Sequence, residues 1–407
     1  MTRILCLLLG LAIPAVAVAQ PLTSDQISDV RANARGHIGP FYFTPTVALK
    51  ELGVDNNVFN SAGEPESDFT FTVMPGLNVW VPVARRALLS SKLGTDLVWY
   101  SEFASERSID PQGSGRGEVY LNRITLFAEA AYLNTRQRPN YEIDIRSRRT
   151  EESALAGVQV AITPAFWIEV AGRRWRARYE DDAEFDGTSL QRTLNRDTDE
   201  IRVTARHRLS PLTTLAVRSE LLQDRFEFSP GRDSRSYRIM PGVEFKPQAL
   251  LSGSAYVGYR QFTPDHPALL PDFSGLVGQL GLSYTLLGAT VFGVSYTRDL
   301  SYSYEVERPF FVDTSIGASV RRALGARFDV LVSADRHEYE YQEAVLLEPA
   351  IGPRLDVTWS YAGSLGYRIG RTGRVGFGVS YWQRESSRDP AYGYESVRLF
   401  TTASYGF

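Results

Sequence analysis

Beyond about residue 39, apolar and polar positions in the chain alternate. Between Gly325 and Gln342, Phe328, Val330, Val332 and Ala334 share one parity, while Arg327, Asp329, Ser333, Asp335 and His337 share the other. A period of two, with charges opposed to an apolar stripe, predicts a strand with one wet and one apolar face. Ile201, Val203 and Ala205 repeat it against Arg202, Thr204 and Arg206. So do Val357, Trp359 and Tyr361 against Thr358 and Ser360, and Val375, Phe377, Val379 and Tyr381 against Arg374, Gly376, Gly378 and Ser380. One segment resists. In Ala165–Tyr179, Phe166, Ile168 and Val170 share a face with Arg174, Arg176 and Arg178. Either a bulge switches the faces there, or the upper half stands clear of lipid.

The joins between segments alternate as well. Short ones carry turn residues, as at Pro82 to Arg86, Ser210-Pro211, Leu287-Gly288 and Gly370 to Gly373. Asn122-Arg123 is the weakest, lacking Gly or Pro. Long polar joins lie between them, as at Val54 to Ser67, Arg136 to Arg148, Tyr179 to Gln191 and Glu343 to Pro353. Short turns alternating with long loops predict an all-β fold: a transmembrane antiparallel up-and-down β-barrel of about eighteen strands, with both ends periplasmic. Glu343 to Pro353 is the most apolar long loop, with Val345, Leu346 and Leu347, and is the expected candidate to fold inward.

The ends extend this picture. Arg3, an apolar run and Ala17-Val18-Ala19 read as a secretory signal peptide cut near Ala19. The expected organisation is a signal peptide over 1–19, a periplasmic linker over 20–38 and a barrel over 39–407. The last segment alternates to Tyr405 and Phe407, a pattern resembling the C-terminal insertion signal of outer-membrane barrels. The expected location is the outer membrane of a Gram-negative bacterium. Expected partners are outer-membrane lipid and lipopolysaccharide, the barrel-assembly machinery, and polysaccharide or anionic solutes.

Composition narrows the chemistry. The chain's one cysteine, Cys6, falls in the signal peptide, so disulfide and thiol chemistry are not expected in the mature protein. The net charge of −3 gives no electrostatic argument for nucleic acid. Alternation places Arg206, Arg321, Arg327, Arg368 and Arg374 inward near short turns, predicting a basic belt at the periplasmic mouth. Asp329 and Asp335 join them inside. Such a belt favours anions, unless local acids pair with it and the charges merely solvate the wall.

Catalysis finds little support. Of His37, His207, His266 and His337, only His337 shares an inward face with Asp335 and Ser333, and no serine motif accompanies it. No catalytic residue, cofactor or metal site is therefore expected. The acidic loops at Asp55, Asp110 and Tyr179–Asp186 lack EF-hand spacing.

The segment Gly53-Val-Asp-Asn-Asn-Val-Phe59, just after the first strand, resembles the opening of a family of outer-membrane β-barrel porins. Some members of that family lie beside exopolysaccharide-secretion genes. The resemblance implies a porin-like barrel and identifies no ligand-binding residue. The expected function is passage of small hydrophilic or saccharide solutes. The rivals are a structural or export partner of an exopolysaccharide system with a filled lumen, and a hydrolase on a barrel scaffold.

Overall fold

A computed structural model describes residue 30 and residues 34–83, 86–345, 352–370, 372–388 and 392–406. The expected signal peptide and Phe407 lie outside the described residues.

The strands follow one another in order: β1 (Gly36–Ile38), β2 (Phe41–Asp55), β3 (Asp68–Val83), β4 (Ala87–Tyr100), β5 (Ser108–Leu121), β6 (Ile124–Thr135) and β7 (Arg149–Ala161). Then come β8 (Phe166–Tyr179), the short loop strands β9 (Glu184–Phe185) and β10 (Thr188–Ser189), β11 (Arg196–Ser210), β12 (Thr213–Phe226) and β13 (Ser234–Phe245). The remainder are β14 (Leu251–Pro264), β15 (Phe273–Leu286), β16 (Thr290–Tyr302), β17 (Phe310–Leu324), β18 (Phe328–Gln342), β19 (Leu355–Ile369), β20 (Gly373–Ser386) and β21 (Tyr394–Tyr405). Each long strand pairs antiparallel with the next, and β2 pairs with β21, so eighteen strands close a barrel with no free edge. Closure satisfies every ladder, which is what a hydrocarbon surrounding requires.

The faces follow the alternation. Val332 and Phe377 are 54% and 61% exposed on the outer surface, whereas Asp329 is 2% exposed and faces inward. The Asn122-Arg123 turn forms because Asn122 takes a φ of 38°, a left-handed value that asparagine tolerates. On β8 the pairing with β7 and β11 runs without a register shift. There is therefore no bulge. Arg174, Arg176 and Arg178 stand on the outer surface and converge on Asp197 of β11. This charged upper half stands above the apolar band.

The Gly53–Phe59 segment is a clasp across the seam. Asp55, buried at the end of β2, pairs with Arg398 of β21 and accepts from the Ser396 hydroxyl and the Asn57 amide. Asn57 donates to the Ser61 and Glu395 carbonyls, and Asn56 accepts the Val397 amide. Val58 then buries against Val98 and Tyr100. A bulge between Lys50 and Gly53 shifts the register here, with Glu51 at φ 54° and 3.0 Å from Arg398. Gly53 passes so close to β21 that a Cβ would lie 1.8 Å from the Leu399 carbonyl oxygen.

Candidate functional site in the barrel lumen

The inward faces of β8 and β11–β16 are stitched by ion pairs. Arg202 meets Glu220 at 2.9 Å, and Arg238 bridges Glu220 and Asp299. Arg260 reaches Asp299 at 2.6 Å. Arg206 lies between Glu169 at 3.0 Å and Glu244 at 3.1 Å, with only 2% of its side chain exposed. Paired and buried in this way, these side chains fill one side of the lumen rather than hydrate it.

The structure places the expected belt as follows. Arg206 sits in its glutamate pair. Arg374 forks onto Asp329 at 2.7 Å, and Arg368 approaches the same carboxylate at 3.5 Å. Arg327, exposed in the turn before β18, donates to the Tyr367 hydroxyl at 3.1 Å. Arg321 makes no ion pair among the described residues. Asp335 lies half-buried on the inner face of β18, and Tyr405 lies exposed on the outer face of β21 beneath the Arg35 guanidinium. The belt is brought together only in part, because Asp329 gathers two members and glutamates hold a third.

His337 shares the inner face of β18 with Asp335 and Ser333 but hydrogen-bonds to neither among the described residues. Its Nδ1 stands 3.8 Å from Asp313, and Tyr141 packs on its ring at a centroid distance of 4.6 Å. Tyr141 belongs to the loop 136–148, which enters the lumen. The apolar loop Glu343–Pro353 was expected to do this. Of that loop, 346–351 lie outside the described residues, and Ala344 and Val345 bond to the Glu307 and Leu269 carbonyls among the other loops. The inserted loop starts with Pro139 and an Asn140 side chain that accepts the Glu142 and Ile143 amides at 3.0 and 3.1 Å. That local turn aims successive side chains at opposite walls. Tyr141 also stacks near Trp382 of β20. Asp144 pairs with Arg384 of β20 at 2.7 Å, and Arg146 approaches Glu106 at 3.6 Å. Ile143 enters an apolar cluster with Tyr179, Leu190, Leu194, Phe226, Phe262 and Phe310. A one-turn helix, Leu190–Leu194, supplies part of that cluster, capped by Ser189. The sequence signal was there: Tyr141, Ile143 and Ile145 alternate with charges behind a Pro-Asn turn.

Glu142 is wholly buried in this loop. Burial pushes its carboxyl up to about 7, with Glu305 adding to the shift while the Ser303 hydroxyl, Arg354 and Arg384 oppose it. Beyond it, Arg354 forks onto Asp356 and Arg384 bridges Asp356 and Asp144, tying β19 to β20 beneath the loops.

The loop narrows the lumen without filling it. Between it and the inner faces of β2–β7, β20 and β21 lies a cavity of about 490 Å³. Its lining is about half polar, with charges of both signs that include Lys50, Asp96, Asp110, Arg138 and Arg146. Tyr100, Tyr141, Trp382 and Tyr394 add aromatic surface.

A family profile described as "Putative beta-barrel porin 2" matches residues 34–404, and the chain belongs to that family. It is accordingly an outer-membrane β-barrel of the porin type. No curated protein sequence matches it. Among solved structures, a BenF-like porin from Pseudomonas fluorescens Pf-5 is similar at 9% identity and a TM-score of 0.49, covering 90% of this chain and 99% of that one. Pseudomonas aeruginosa OpdK, solved with vanillate, is similar at 10% identity and a TM-score of 0.48, covering 91% and 99%. A bacterial polysaccharide outer membrane secretin is similar at 8% identity and a TM-score of 0.36, covering 89% and 98%.

Proposed function

We propose that this member of the porin family is a restricted channel for small hydrophilic solutes, saccharides among them. The observation that carries the reading is the polar cavity left between the inserted loop and the barrel wall. A barrel of this strand number has room for an aqueous lumen, and loop residues decide how much of it stays open. Solute passes beside Tyr141 and between walls that each carry both signs of charge, so size and hydrogen bonding govern entry more than net charge. Lipid and lipopolysaccharide cover the outward apolar band. The assembly machinery inserts the chain through its last strand, β21, which ends at Tyr405.

A second reading is a structural or export partner of an exopolysaccharide system. The apolar cluster around Ile143 and the ion pairs of Arg354 and Arg384 favour it, because they cap much of the lumen. Ion current across planar bilayers separates the two. A channel conducts, and a capped structural barrel does not.

A further inference from the structure

We infer that the cavity beside the inserted loop is a binding site for a short, uncharged saccharide, an inference that rests on the channel reading and names its preferred solute. The cavity's volume of about 490 Å³ falls within the range of roughly 300–1,000 Å³ usual for small-molecule sites.

Its walls carry both halves of a hydrogen-bond pattern. Asp96 of β4 and Asp110 of β5 stand directly opposite in the antiparallel register. Like charges in that position are unfavourable unless donors sit between or beside them. Asp96 receives them from the Gln112 and Gln137 side-chain amides, each at 3.2 Å. Asp110 receives only the Thr135 hydroxyl, at 3.1 Å on Oδ2. Its Oδ1 is buried and has no partner among the described residues, and the residue, 1% exposed, borders the cavity. A buried acceptor without a donor marks a place where a ligand hydroxyl is stabilised. On the loop side, Arg146 Nη2 is likewise buried and unpartnered, a donor in need of an acceptor.

These two orphans select the ligand. A hydroxyl both donates and accepts, so one polyol satisfies Asp110 and Arg146 together. Lys50 stands with Asp96 and Asp110 on the barrel wall, and Asp144 with Arg138 and Arg146 on the loop, so a net charge of either sign meets like charge on both sides. The aromatic rings of Tyr141, Trp382 and Tyr394 offer apolar surface of the kind that the C–H faces of a sugar ring cover. A small zwitterion such as glycine matches the charges and leaves the rings uncovered.

The test uses the full chain in detergent, with folding checked by heat-modifiable gel mobility. Maltotriose, cellotriose and raffinose are titrated by calorimetry, with glycine, which has no apolar face to set against the rings, as the zwitterionic probe. At least one sugar is expected to bind saturably and the zwitterion not to. Asp110→Asn is expected to weaken binding about tenfold, the loss of one charge-assisted hydrogen bond. Gln137→Ala, which changes no strand residue but removes one of the two donors to Asp96, is expected to weaken it a few-fold. No saturable sugar binding, equal binding by Asp110→Asn and Gln137→Ala, or preference for the zwitterion overturns the inference. Salt current through bilayers is recorded separately. A protein that conducts but binds no sugar removes this inference and leaves the channel; one that binds sugar without conducting does the reverse.

Discussion

Gly53 and Asp55 show how a short motif acts at the scale of single residues. Neither faces a ligand. Gly53 allows the backbone of β2 to touch β21 where a Cβ would stand 1.8 Å from a carbonyl oxygen. Asp55 pairs with Arg398 across the closing seam. Gly53→Ala is therefore expected to lower the melting temperature of the detergent-folded barrel, and Asp55→Ala to cost about 1–3 kcal/mol by leaving the Ser396 hydroxyl and the Asn57 amide without their acceptor, while Glu51 still holds Arg398. A seam whose stability is unchanged by both substitutions would show that closure does not depend on this contact. The segment was legible in the sequence as a resemblance, but its structural role was not. That role depends on partners at Glu395 to Arg398, more than three hundred residues away in the chain.

At the scale of elements, strands were legible because period two is a local property that lipid on one face enforces. Val332 and Ser333 illustrate it. Val332→Lys, on the lipid face, is expected to cost about 2–4 kcal/mol in folding stability, and Ser333→Lys far less. Equal losses on refolding from urea would mean that the register of β18 is wrong. The inserted loop was overlooked, although the alternation of Tyr141, Ile143 and Ile145 with charges was there to be read. Overall hydrophobicity pointed to Val345–Leu347, whereas the loop that enters has a Pro-Asn turn and side chains matched one by one to distant walls. Glu142 gives that loop a pH dependence. Its carboxyl has a pKa of about 7 when buried, against an ordinary value of 4.5. A raised value means that the inserted state holds the proton more tightly than the released one. The stabilisation is full below about pH 4.5 and is lost as pH rises through about 7. Open probability of single channels should increase from about pH 5 to about pH 8, and Glu142→Gln should flatten that dependence. A profile unaffected by the substitution would sever the link between this carboxyl and the loop.

Across the whole molecule, the lumen is asymmetric: charge pairs fill the side of β11–β16, and a mixed-sign cavity remains on the other. Alternation placed Arg206, Arg368 and Arg374 on the inner wall, but could not show their partners. Those lie on other strands, as with Arg206 between Glu169 and Glu244. With Asp329 drawing in Arg368 and Arg374, the anion preference of the periplasmic mouth should be weak. Arg374→Glu should nevertheless shift the reversal potential toward cations in a salt gradient, more than Arg327→Glu does, because it also strips Asp329 of its closest partner. An equal shift in the two variants would place Arg327 in the passage as well.

The central claim is that a loop narrows an otherwise open barrel, and single-channel conductance tests it most directly. The purified chain is compared in planar bilayers with a variant whose residues 139–145 are replaced by a short Gly-Ser linker. A small, steady current from the unaltered chain and a current several times larger from the variant are the expected results. Silence from both, with folding and insertion verified, would contradict the channel and leave a capped structural barrel.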